Sequence, residues 1–140
     1  MIYIGCDHGG YPLKVKLIEF LSARGLEYAD LGCDGETVDY PDIAKKVCRE
    51  VLDNASSRGL LVCTSGIGIS MAANRFRGIR AALCGDYFSA KYSRLHNDAN
   101  VLYLGNKTIG EGVALEILDV FLNTEFEGGR HAVRVDKIEV

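Results

Sequence analysis

The stretch Gly59-Leu60-Leu61-Val62-Cys63-Thr64-Ser65-Gly66-Ile67-Gly68-Ile69-Ser70-Met71-Ala72-Ala73 decides how this chain is read. It opens with a short apolar run, the mark of a parallel strand buried on both faces. It passes through a small, glycine-rich turn from Cys63 to Gly68 and continues as a helix beginning near Ile69. Strand, glycine turn and helix together aim backbone N–H groups at an anion. A thiol and two hydroxyls stand on this turn.

Spacing excludes the common versions of such a loop. A nucleotide-binding P-loop needs Lys after its last glycine, where Ile69 stands. The dinucleotide fingerprint needs a third glycine where Met71 stands. A phosphatase-type loop needs Arg where Ile69 stands. A thiol above a helix N-terminus has a use of its own. The helix end favours thiolate, which serves as a nucleophile or as a proton-abstracting base. Neighbouring N–H groups can hold an oxyanion. The plain alternative is a tight turn around an inert cysteine.

Outward from this stretch, short apolar runs alternate with helical stripes. Strands are expected at Ile2–Cys6, Leu26–Leu31, around Leu60–Val62, at Ile79–Leu83 and at Val101–Leu104. The spacing predicts helices after Pro12 (ending at Gly25), after Pro41, after Asp86 (to Arg94) and after a Thr108–Glu111 capping box. This pattern predicts an α/β chain: a three-layer, doubly wound sandwich on a five-stranded parallel sheet, with a C-terminal tail from Thr124 that is no further βα unit. In such sheets ligands bind beyond the carboxyl ends of the strands, near the point where strand order reverses. Asp7 and His8, Cys63 to Gly68, and Asp86 follow strands one, three and four.

Composition narrows the classes. The 140 residues are 48% apolar and 25% charged, which suits one globular domain over 1–140. A net charge of −3 provides no field for nucleic acid or a membrane surface, so neither is expected as a partner. Five cysteines without a CxxC pair suit a reduced, cytoplasmic protein. No leader or membrane-spanning run is read, and no His, Cys or Asp cluster has metal-ligand spacing. Cys6, Cys48 and Cys84 read as packing residues, and Cys33 as a loop residue without a role.

Other polar groups invite both plain and chemical readings. Asp7-His8 precedes Gly9-Gly10, and Asp39-Tyr40-Pro41 suits a helix start. Arg94-Leu95-His96-Asn97-Asp98 lies at a helix end, where histidine also complements the dipole. If Glu127–Arg134 is helical, Arg130 and Arg134 share a face and form a fork suited to phosphate.

Taken together, these blocks resemble the ribose-5-phosphate isomerase B family, with the allose-6-phosphate and galactose-6-phosphate isomerases, over essentially the whole chain. The resemblance rests on residues 5–10, 39–41, 63–70, 72–74, 78–81, 96–98 and 128–131, with Arg134. It implies interconversion of an aldose phosphate and a ketose phosphate through a cis-enediolate, without metal or cofactor. Ribose 5-phosphate and ribulose 5-phosphate are the expected pair, and a six-carbon sugar phosphate is the alternative. By resemblance, Cys63 matches the base that moves a proton between C2 and C1, and Ser65 the hydroxyl that handles a proton on the substrate oxygen. His96, assisted by Asp7, matches the ring opener. Asn97 and the amides of Thr64, Ser65, Gly66, Ile67 and Gly68 match the enediolate-stabilising groups. His8, Arg130 and Arg134 match a phosphate clamp, and Tyr40 lines the sugar site. A homodimer or homotetramer with sites shared between subunits is implied. Thr64 replaces the usual Gly, so the turn must accept a Cβ. Lys107 replaces an Arg near the phosphate, keeping the charge without the planar fork. A non-catalytic sugar-phosphate sensor would need the arginines but not Cys63. A thiol redox protein would need a second cysteine close to it in sequence.

Overall fold

A computed structural model describes residues 1–140. The strands are β1 (Ile2–Cys6), β2 (Tyr28–Asp30), β3 (Arg58–Cys63), β4 (Ala81–Leu83) and β5 (Val101–Gly105). The helices are α1 (Tyr11–Ala23), α2 (Tyr40–Asp53), α3 (Ile67–Ala73), α4 (Tyr87–Leu95), α5 (Glu111–Asn123) and α6 (Arg130–Asp136). All strands are parallel, in the order β2-β1-β3-β5-β4. This is the expected doubly wound α/β sheet.

Strand alternation builds the three layers. Leu60, Val62, Leu102 and Leu104 pack with α1 and α5, together with Ala90 of α4. Their neighbours Leu61, Cys63, Val101 and Tyr103 face α2 and α3 instead. Helices thus cover both faces, and β5 is buried along its whole length.

Several local expectations hold. Pro12 lies in the first turn of α1, and Gly25 follows its end with a φ of +63°. The Asp86 carboxylate accepts from the Ser89 N–H at 2.7 Å and caps α4. The tail forms α6, and Arg130 and Arg134 are one helical turn apart.

Three expectations are corrected. The second and fourth strands are shorter than the apolar runs that announced them, and both are edges of the sheet. The Leu26 N–H is taken by the Leu21 carbonyl at the end of α1, and the Ile79 N–H by the Phe76 carbonyl. Neither residue is left to extend a ladder. The Thr108–Glu111 capping box does not form. Gly110 occupies the cap position, and the Thr108 hydroxyl donates to the Gly105 carbonyl at 3.1 Å.

Asp30, the charged residue at the end of β2, has a buried partner. Lys14 on α1 is only 1% exposed. Its Nζ lies 2.7 and 2.8 Å from the two carboxylate oxygens of Asp30 and also donates to the Cys33 carbonyl. A buried ammonium must be paired, and this pair ties α1 to the end of β2. Lys14→Ala leaves the Cys33 carbonyl without its donor and unpairs Asp30, and is expected to cost about 2 kcal/mol, as read by urea unfolding.

Candidate active site

β1 and β3 are adjacent, while β2 lies outside β1 and β5 outside β3. Strand order therefore reverses between β1 and β3, and their carboxyl ends carry Asp7-His8 and Cys63. Gly9 and Gly10 let the β1–α1 turn pass directly over the end of β3. A Cβ on Gly10 would drive into the Val62 carbonyl, and one on Gly9 into the Thr64 hydroxyl. The Asp7 N–H donates to the Val62 carbonyl at 3.2 Å, and the Asp7 carboxylate accepts from the Gly10 N–H at 3.0 Å. Asp7 is buried and His8 is exposed.

The Cys63 turn is held from the other side by the loop after β5. The Asn106 and Lys107 N–H groups donate to the carbonyls of Cys63 and Thr64 at 2.8 and 2.9 Å. Gly66 takes a φ of +84°, a conformation that glycine adopts without strain. It folds the chain back so that its own N–H points at the Cys63 sulfur, 2.9 Å away. The Ser65 Oγ accepts from the Ile67 N–H at 3.3 Å. A Cβ built on Gly68 would lie 2.8 Å from the Tyr40 ring, so Tyr40 covers this turn. Thr64 keeps a negative φ, since Asp98 is the one non-glycine residue with a positive value. The turn thus accepts the Cβ, and the bare Gly9 makes room for the hydroxyl.

Cys63 differs from its expectation in one respect. The helix end was expected to favour thiolate, but burial pushes the thiol up, with only 5% of the residue exposed. The Gly66, Ser65 and Ile69 amides pull the other way, while the Asp7 carboxylate adds to the rise. In one copy of the chain desolvation wins. The sulfur already has its hydrogen-bond donors and lacks a cation.

The remaining expected residues lie elsewhere. α4 starts beyond the end of β4 and runs back along the sheet, so His96 and Asn97 fall at the opposite edge. Asn100, just beyond them, pairs with Gly59 at the start of β3, whereas Cys63 pairs with Gly105 at the end of β5. The strand between the two edges is about 15 Å long. α5 returns to the same far edge, where the Glu127 N–H donates to the Leu95 carbonyl. α6, with exposed Arg130 and Arg134, follows there. The expected residues therefore form two groups in one copy. Asp7, His8, Tyr40, Cys63–Gly68 and Lys107 occupy one edge, and His96, Asn97, Arg130 and Arg134 the other. Asp7 does not meet His96, and His8 does not meet the arginines. Asn97 lines a cavity of about 480 Å³ with Arg75, Arg77 and Arg80, away from Cys63.

The second group is built by residues that sequence reasoning passed over. Arg94, 1% exposed, donates to the Asp98 carboxylate at 2.8 Å and to the Thr124 carbonyl at 3.2 Å. Arg80 takes the other Asp98 oxygen at 3.0 Å. These bonds pin the turn that presents His96 and Asn97, with Asp98 at a φ of +47°. The Arg94–Asp98 spacing of four was the available signal. The His96 and His131 rings are stacked, with centroids 4.0 Å apart. The Glu127 carboxylate lies 3.7 Å from one Nε2 and 4.0 Å from the other. Burial, His96 and the two arginines push the His131 imidazole below its ordinary value, against the pull of Glu127. No metal-ligand spacing is present along the sequence, and the fold brings the side chains of His96, Glu127 and His131 within 4.8 Å of one another.

Known proteins resemble this chain in sequence and in fold. The chain is 44% identical over 138 residues to ribose-5-phosphate isomerase B of Escherichia coli, covering 98% of this chain and 93% of that protein. It is 41% identical to the D-erythrulose-4-phosphate isomerase of Pectobacterium atrosepticum, covering 98% and 91%. The crystal structure of a ribose 5-phosphate isomerase from Thermotoga maritima superposes with a TM-score of 0.96 at 47% identity, over 99% of this chain and 96% of that one. Residues 2–138 match the description Ribose/Galactose Isomerase. With residues 2–138 matched and 44 to 47% identity over nearly the whole length, the chain belongs to the ribose/galactose isomerase family of sugar-phosphate isomerases.

Proposed function

We propose that the chain interconverts ribose 5-phosphate and ribulose 5-phosphate, at sites that two copies complete. The observation that carries this reading is the Cys63 sulfur, held at the sheet's switch point under the Gly66 N–H and beside Asp7. Cys63 removes the proton from C2 and returns it to C1. Ser65 moves the hydroxyl proton between the two substrate oxygens, so no external oxidant or reductant is consumed. The amides from Thr64 to Gly68, with Asn97, stabilise the enediolate charge as it develops. His96, with Asp7, opens the furanose ring. His8, Lys107, Arg130 and Arg134 hold the phosphate, and Tyr40 lines the sugar site.

A second copy supplies what one copy separates. Ile67 and Met71 share a face of α3, and Phe88 stands at the start of α4. Ile67, Met71 and Phe88 are 51%, 66% and 68% exposed, leaving apolar surface on helices that start at the Cys63 edge. Such a surface is suited to a subunit contact. A second copy docked there would carry its own His96, Arg130 and Arg134 to the sulfur, and neighbouring cations lower a thiol pKa.

Chain length is the open specificity, since a relative at 41% identity acts on a four-carbon sugar phosphate. Rates on four-, five- and six-carbon aldose and ketose phosphates, measured by exchange from deuterated water, test the proposal. Fastest turnover and exchange on the five-carbon pair is expected. Faster turnover of a six-carbon substrate would overturn the choice of pentose. Arg134→Ala is expected to raise KM about tenfold or more while changing kcat little, because phosphate is bound alike in the ground and transition states.

A further inference from the structure

We infer that His96, Glu127 and His131 form a binding site for a divalent transition cation of the zinc class. The His131 Nε2 is buried without a hydrogen-bond partner, which is costly for an imidazole unless something occupies its lone pair. The His96 Nε2 and the Glu127 carboxylate face it across a gap, and the three donor atoms lie within 4.8 Å of one another. In a tetrahedral site, bonds of about 2.1 Å place donor atoms about 3.4 Å apart. Small side-chain rotations close the present gaps of 3.7 and 4.0 Å to Glu127. Larger than these is His96 turning out of its stack on His131 and its edge contact with Tyr92, so that both lone pairs can point at one ion. His96 and Glu127 are partly exposed, while His131 is fixed by burial.

Two imidazoles and one carboxylate suit zinc, cobalt or nickel rather than magnesium or calcium, which prefer all-oxygen ligands. Three protein ligands leave a fourth position for water. Within one copy the three ligands include no sulfur and lie at the sheet edge opposite Cys63. Its occupation takes the His96 lone pair, so a bound ion removes His96 from proton transfer. That consequence rests on the role proposed for His96, whereas the binding does not.

The two are separated by titrating the metal-free full-length protein with Co²⁺, followed by visible ligand-field absorption, with Zn²⁺ as competitor. One saturable ion per chain is expected. His131→Gln and Glu127→Gln should each weaken it by more than about tenfold. Glu127 is exposed enough that its variant should fold even if the His131 variant does not. Absence of saturable binding, or binding indifferent to Glu127→Gln, overturns the site. Zn²⁺ is further expected to inhibit wild-type turnover in step with occupancy and to be reversed by a chelator. Binding without inhibition supports the site and counts against His96 as a participant in turnover.

Discussion

Cys63→Ala is expected to lower kcat by about a thousandfold or more while leaving the affinity for a sugar phosphate within a few-fold. A positioned general base contributes roughly 10²- to 10⁴-fold, and no other group beside the turn can replace it. Asp7, the nearest carboxylate, already accepts the Gly10 N–H. Binding should survive because the amides of the turn and the phosphate-holding cations are untouched. Isothermal titration with substrate, set beside a coupled rate assay, separates the two effects. The pH profile adds a second signature. Burial raises the thiol, so the thiolate fraction grows as pH rises, and kcat/KM should climb with it. That limb should vanish in Cys63→Ala. Retained turnover would remove Cys63 from the base role, and a parallel collapse of binding would make its part structural.

The second large effect concerns assembly. Cys63→Ala and His96→Asn should each be nearly inactive alone, yet mixing the two after subunit exchange should restore about one quarter of wild-type activity. With random pairing about half of the dimers are mixed, and each mixed dimer holds one site with both groups intact. The reason is directional. Cys63 ends a strand that runs one way across the sheet, and His96 ends a helix that runs back. No side-chain rotation joins groups separated by the length of a strand. If both groups acted within one copy, mixing would restore nothing. A restored rate near one quarter, proportional to the mixed fraction, identifies a shared site, and zero recovery refutes it.

Which parts of this molecule were legible beforehand follows the range of the interactions involved. Alternating apolar runs are local and strong, so the parallel sheet, the α1 end at Gly25 and the Asp86 cap could be read directly. The Cys63 turn was legible for the same reason, because strand, glycines and helix start lie within fifteen residues. Edge strands were overextended because amide groups at Leu26 and Ile79 are claimed by neighbouring turns, which an apolar pattern cannot register.

By itself, the sequence determined the architecture, the chemical types at the strand ends and membership in a family of sugar-phosphate isomerases. Only the tertiary structure decided the rest. It paired buried Lys14 with Asp30, raised the Cys63 thiol by burial, and built the His96–Glu127–His131 cluster. It also placed the expected residues at opposite edges of the sheet. A sequence names neighbours along one dimension, whereas burial and charge act between groups that only folding brings together. Which edge of a parallel sheet a residue reaches depends on the direction of the helix or strand that carries it.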